Sequence, residues 1–233
     1  MRIEQLEEIL AGWQESLCLE IELAGLIAKN STAHKWKATY RSIVLRELVM
    51  WRFTDLMAQV AYLLRREHIL GARVLIRSGI ETLGILVYLN QITEAVLNGE
   101  MQFFDFAEKT SHLMLGSRNK STGRQSINIV SVLEKCDKQY PGILETYSGL
   151  SESAHPNFEG VCMGYSHPDE TNYKTVFRNR WVEQFGTSQL PLIEIFLRTM
   201  ETEYNERWPR LFDELEEWLT RNDARLQSES GRI

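Results

Sequence analysis

The chain has little of what would staple or punctuate a fold. It holds three cysteines, Cys18, Cys136 and Cys162, far apart and with no CxxC pair. That spacing argues against a disulfide framework and against a structural zinc site, and predicts buried free thiols. Only five prolines interrupt 233 residues, and no Pro-, Gly- or Ser-rich linker divides the chain, so a single helical domain over residues 1–233 is expected. The longest apolar stretch, "GILVYLNQI", falls far short of the ~20 residues needed to cross a bilayer. The first residues, "MRIEQLEEIL", are acidic rather than signal-like. A cytoplasmic chain without a membrane partner is therefore expected. Nucleophile elbow, phosphate-cradling glycine loop and fixed-period repeat are all missing. "SHPDE" offers His167, Asp169 and Glu170 as metal ligands, but no second cluster has matching spacing, so neither a metal nor any other cofactor is expected.

What is present is ordinary globular material. Hydrophobic residues make up 43% and charged residues 25%, a balance that favours a packed core over disorder. The net charge of −6 argues against a surface coated for nucleic acid, yet it is unevenly distributed. Between Lys35 and Arg77 lie nine basic residues (Lys35, Lys37, Arg41, Arg46, Arg52, Arg65, Arg66, Arg73, Arg77) against Glu47, Asp55 and Glu67. The region could attract an anion or pack beside acidic helices such as that in "METEYNERWPRLFDELEEW".

Helical periodicity dominates. Apolar residues from Ile3 to Ile27 recur at three-and-four spacing and predict one long amphipathic helix, broken by "NSTAHKWKAT". A second helix is expected from about Tyr40 to Arg66. A third, "ILGARVLIRSGIETLGILVYLNQITEAVL", is apolar nearly all round and ends at Asn98 and Gly99. Shorter helices should follow near "EMQFFDFAEKTSHLML", "INIVSVLEKCDKQY" and "GILETYSGLSES". Between the first two of these, the loop with Arg118, Lys120 and Arg124 reads as a solvated mobile turn or an anion contact. Residues 156–182 should form a small β-hairpin or irregular insertion around "SHPDET". A closing helix from Leu190, kinked or restarted at Pro209, should end in a fraying tail "RLQSESGRI". The expected class is all-α, a multi-helix bundle with one small insertion.

Chemistry concentrates on two stretches. In "GARVLIRSGIETLGILVY", Arg73, Arg77, Glu81, Gly84 and Tyr88 fall within about 80° of one another at the helical 100° per residue. Charges on a buried helix are costly unless paired. Arg before Glu at i,i+4 is the weaker local order, so a partner from another segment is expected. The candidate is "YSGLSESAHPN", where Tyr147, Ser151 and His155 recur every four residues and Pro156 ends the helix at His155. Two readings stay open. Arg77, Glu81 and His155 could form a composite acid/base site on a phosphodiester, with Arg73, Tyr147, Ser151 and Asn157 as binding residues. Alternatively, the same groups form a buried clamp between helices.

"ARVLIRSGIETLGILVYL" with the downstream "YSGLSESAHPN" resembles DUF5677-type bacterial proteins, a group similar to the HEPN superfamily. The resemblance spans roughly residues 40–160 and rests on Arg77, Glu81, Ser151 and His155. It implies a helical bundle, commonly a homodimer, acting as a toxin or antiphage-defence protein, in many cases as a metal-independent endoribonuclease. RNA and an antitoxin or partner protein would be its partners. The superfamily's signature places an arginine and then a histidine on one helix, with four to six residues between them. None of His34, His68, His112, His155 or His167 has that spacing. The alternative is a noncatalytic helical module that docks a partner protein or senses a small ligand.

Overall fold

The computed structural model describes residues 1–119, 121–186 and 188–230. Among them are eleven α-helices and one two-stranded antiparallel hairpin, an all-α architecture with a small β insertion. No described helix is long and apolar enough to cross a membrane. The chain groups into two compact units, each discontinuous in sequence. Unit 1 comprises residues 1–17, 51–83 and 133–199, and unit 2 comprises 18–50, 84–132 and 200–233.

Unit 1 contains α1 (Ile3–Ser16), the second half of α4 (Lys37–Arg65), the first half of α5 (Ile69–Leu97), most of α7 (Ile129–Asp137), α8 (Ile143–Ala154), the hairpin β1 (Ser166–Asp169) and β2 (Lys174–Phe177), α9 (Trp181–Phe185) and nearly all of α10 (Gln189–Glu201). Leu6, Phe53, Met57, Ile76 and Ile80 are wholly buried there. Each such side chain contributes roughly 2 kcal/mol of transfer free energy. The apolar face of α5 therefore anchors the unit, and its polar stripe is fixed in orientation by that burial. Unit 2 contains α2 (Leu23–Lys29), α3 (Ser31–His34), the complementary halves of α4 and α5, α6 (Phe103–Leu115), the start of α7 and α11 (Trp208–Ser230). Its core includes Leu86, Leu89, Phe106, Leu215 and Leu219.

Several sequence expectations need correction. The helix expected from Ile3 to Ile27 stops at Ser16, where Leu17 turns to ψ 133°, and restarts as α2. Leu19, Leu23 and Ile27 are exposed and α2 buries nothing, so their helical spacing does not report a core face. The thiols also differ: Cys136 is buried, Cys18 half-buried and Cys162 exposed. The tail continues as helix to Ser230, held by the buried Leu226. In the polar loop, the Thr122 hydroxyl donates to the Leu115 carbonyl and the Ser117 N–H to the Arg124 carbonyl (2.9 Å), while Lys120 lies outside the described residues. Much of the basic segment is engaged in packing: Lys35 pairs with Asp223, Arg65 with Glu7, and Arg41 donates to the Ala107 carbonyl.

The α5 limits match the expected stretch, and Gly99 ends it with a left-handed φ of 74°. Pro156 also acts as expected. His155 leaves the helix at φ −95°, ψ 148°, the extended geometry that a following proline enforces. A π-helical segment, Phe158–Met163, follows, capped by Asn157, whose Oδ1 accepts from the Gly160 N–H (3.0 Å). Gly160 is required there, because a Cβ would collide with the His155 carbonyl oxygen.

Candidate functional site

Within unit 1, α5 and α8 meet along the polar stripe. Arg77 donates from Nε to Ser151 Oγ (2.8 Å) and from Nη2 to Tyr147 Oη (2.6 Å), with its Cζ 4.7 Å from the Tyr147 ring centre. The Tyr147 hydroxyl in turn donates to Glu81 Oε1 (3.0 Å), and Arg77 Nη2 lies 3.4 Å from the same oxygen. One turn earlier on α5, Arg73 donates from Nε to Ser153 Oγ (2.7 Å) and from Nη2 to the Gly149 carbonyl (3.3 Å) and Glu159 Oε1 (3.3 Å). Its guanidinium also lies 4.0 Å from the Phe185 ring centre. The Ser153 hydroxyl bridges to Glu159 as well.

The two arginines differ in environment. Arg73 is 8% exposed, and burial pushes its guanidinium down from the usual arginine range while Glu159 pulls it back up. The side chains of Arg77 and Glu81 remain about a quarter exposed, at 26% and 25%. Burial raises the Tyr147 phenol above its ordinary value, and donation to Glu81 raises it further. A phenol held neutral between a cation and an anion works as a fixed relay of hydrogen bonds rather than as a base.

Of the residues singled out in the sequence, Arg73, Arg77, Glu81, Tyr147 and Ser151 thus belong to one network. His155 does not join it: its imidazole is exposed and makes no hydrogen bond or ion pair with any described residue, and its only ties are backbone bonds to Ser151 and Asn157. Asn157 caps the π-helical segment and donates to Glu152 instead of facing the arginines. Ser153, Glu159 and Phe185 complete the Arg73 pocket and were not anticipated. Glu159 lies beyond the helix-breaking proline, and only the backbone path of the π-helical segment brings it back.

No group of three or more His, Cys, Asp or Glu side chains among the described residues is placed to hold a metal. Asp169 is instead held low by Asn172 and Lys174 in the hairpin turn. A separate feature of unit 1 is an apolar cleft of about 300 Å³ lined by Tyr140, Pro141, Ile143, Leu192, Ile195 and Phe196. Helix α8 lines it with Ile143 and Thr146 and faces the arginines with Tyr147, Ser151 and Ser153. No family model, curated protein or solved structure matches the chain.

Proposed function

We propose that the chain is a noncatalytic helical binding module, in which the Arg73–Arg77–Glu81 stripe is a clamp that fixes α8 against α5 and the cleft between α8 and α10 receives a small apolar ligand. The observation that carries this reading is the engagement of both guanidiniums: each has a carboxylate and at least two further oxygen partners inside unit 1. A cation already neutralised by an internal carboxylate attracts a phosphate weakly. The cleft has the size and apolar lining of a small-molecule site.

A second reading, the HEPN-like endoribonuclease of a toxin or defence system, is favoured by one specific feature. Arg77 Nη1 and Glu81 Oε2 make no hydrogen bond with described residues, and both side chains are partly solvent-facing. In that reading Arg77 would stabilise phosphate charge, His155 would act as acid or base, and Glu81 would orient Arg77, with which it pairs at 3.4 Å.

Two measurements separate these readings. N-phenyl-1-naphthylamine, a neutral probe of apolar sites, should gain fluorescence with the wild type and lose that gain in Thr199→Trp, which fills the cleft. In parallel, labelled RNA incubated with the wild type should stay intact, and Arg77→Ala should lower the melting temperature. Cleavage by the wild type that disappears in both Arg77→Ala and His155→Ala, with melting unchanged, would overturn the binding-module reading and establish the ribonuclease.

A further inference from the structure

The cleft between α8 and α10 restricts the chemistry of what can fill it. One face of α10, from Leu192 to Thr199, forms one wall, and the start of α8 with the turn before it forms the other. Two rings, Tyr140 and Phe196, are part of those walls. At about 300 Å³ the cleft stands at the lower end of small-molecule sites, with room for one or two rings rather than a long chain. A planar aromatic ligand gains offset or edge contacts with such rings that an aliphatic one does not.

Ions are disfavoured. Among the described residues that line the cleft there is no acid, amine, guanidine or imidazole. Neighbouring cations do not supply one: Lys138 lies outside the lining, and Arg198 pairs with Glu194 (2.8 Å). The start of α8 could otherwise meet an anion with free N–H groups, but these are taken. Asp137 Oδ1 accepts from the Gly142 N–H (2.9 Å) and the Leu144 N–H (3.1 Å), and the Tyr140 carbonyl accepts from the Ile143 N–H (3.3 Å). A carboxylate or phosphate entering here would give up its water beside the Asp137 carboxylate and gain no cation in return. An ammonium fares no better, because Asp137 is spent on the amides and lies outside the lining.

Two hydroxyls set the hydrogen bonds that a neutral ligand can make. The Thr199 hydroxyl donates its one proton to the Ile195 carbonyl (2.9 Å), so towards a ligand it can only accept. The Thr146 hydroxyl makes no hydrogen bond with any described residue and can accept or donate. Gln139 carries both a donor and an acceptor and selects for neither. The ligand that satisfies all of these groups therefore brings an N–H or O–H of its own.

We propose that the occupant of this cleft is a neutral aromatic molecule of one or two rings that donates an N–H or O–H to Thr199, as an indole or a phenol would. The inference rests on the binding-module reading of the cleft and names the chemistry of what it binds.

Displacement of N-phenyl-1-naphthylamine from the full chain tests it. Indole should displace the probe, and benzofuran, its near isostere with oxygen in place of the N–H, should be about fivefold weaker, the worth of one ordinary hydrogen bond. Naphthoate, an aromatic anion, should displace the probe hardly at all. In Thr199→Val, which keeps the shape of the side chain and loses the acceptor, indole should fall to the level of benzofuran. The wild-type comparison of indole with benzofuran decides the matter whatever the stability of that variant. Equal displacement by the two, displacement by naphthoate as strong as by indole, or an indole preference that persists in a folded Thr199→Val would overturn the inference while leaving the cleft a binding site. A wild type that gives the probe no gain of fluorescence would remove the cleft as a site, and this inference with it.

Discussion

Two arginine clusters, one in each unit, solve the same problem differently. In unit 1, Arg73 and Arg77 are held mainly by hydroxyls and one carboxylate each, and Arg77 stays partly open to solvent. In unit 2, Arg46 is flanked by rings, with its Cζ 3.6 Å from the Tyr204 centre and 4.6 Å from that of Trp208. It pairs with Glu47, whose Oε2 also accepts from the Tyr204 hydroxyl (2.6 Å). Alongside, Glu203 is wholly buried, held by Asn90 Nδ2 (2.6 Å) and Arg207 Nη1 (3.2 Å), while Arg207 reaches Glu94 (2.6 Å). In both units a π-helical segment delivers the key carboxylate: Phe158–Met163 brings Glu159, and Thr202–Arg207 brings Glu203. The extra residue per turn re-aims a side chain that regular helix would send elsewhere. The cluster of unit 2 closes around a wholly buried carboxylate, whereas that of unit 1 leaves Arg77 and Glu81 about a quarter exposed.

Perturbing the buried cluster should have the largest effect. Asn90→Leu removes a short side-chain hydrogen bond to the wholly buried Glu203 carboxylate and should cost about 3 kcal/mol. Urea denaturation measures it, and a loss no larger than that of Arg77 variants would erase the contrast between the clusters. Arg73→Met comes next, at about 2 kcal/mol, since it leaves Ser153 and Glu159 facing an apolar chain. Arg73→Lys should recover little of this, because an ammonium cannot fork to Ser153 and Glu159 while stacking on Phe185.

Tyr204→Phe should cost about 1 kcal/mol and also change the alkaline limb. Burial, reinforced by donation to Glu47, pushes the Tyr204 phenol well above its ordinary value. Its contribution is thus complete below about pH 10, the unfolded tyrosine value, and falls as pH rises further, when the unfolded chain ionises and the native one does not. The wild type should therefore lose stability above that pH more steeply than Tyr204→Phe. Parallel slopes would show that the phenol is not shielded as described.

The contrast also explains what was legible in the sequence. The unit 1 stripe lies on one helix at four-residue spacing, so Arg73, Arg77 and Glu81 announced themselves, and the Tyr147–Ser151 partner face followed from the same periodicity. His155 shared that spacing but not the network, because the proline that marks it also turns it out of helical geometry. In unit 2 the cluster joins residues more than 100 positions apart, such as Asn90 with Glu203 and Glu47 with Tyr204. Glu203 sits within an acidic run that reads as solvated surface. Nothing local distinguishes it from its neighbours, since π-helical winding leaves no periodic signature in so short a segment. The break after Ser16 was hidden for the converse reason, an apolar period continuing through residues that bury nothing.

The smallest effect should come from Arg77→Lys, and it bears most directly on the open cluster. Arg77 divides its donors between Ser151 and Tyr147 in a planar fork, with Glu81 behind the tyrosine. A lysine keeps the charge but reaches one of these partners at a time. As the side chain is a quarter exposed, water recovers part of the loss, and the cost should be about 1 kcal/mol or less. For a chain of this size that lowers the melting temperature by roughly 2–4 °C. Arg77→Lys in a Tyr147→Phe background should add almost nothing if the fork to the phenol is the main contact, because the double-mutant cycle then closes on a shared interaction. Additive losses would mean that Arg77 holds α8 chiefly through Ser151, and that the phenol serves Glu81 alone.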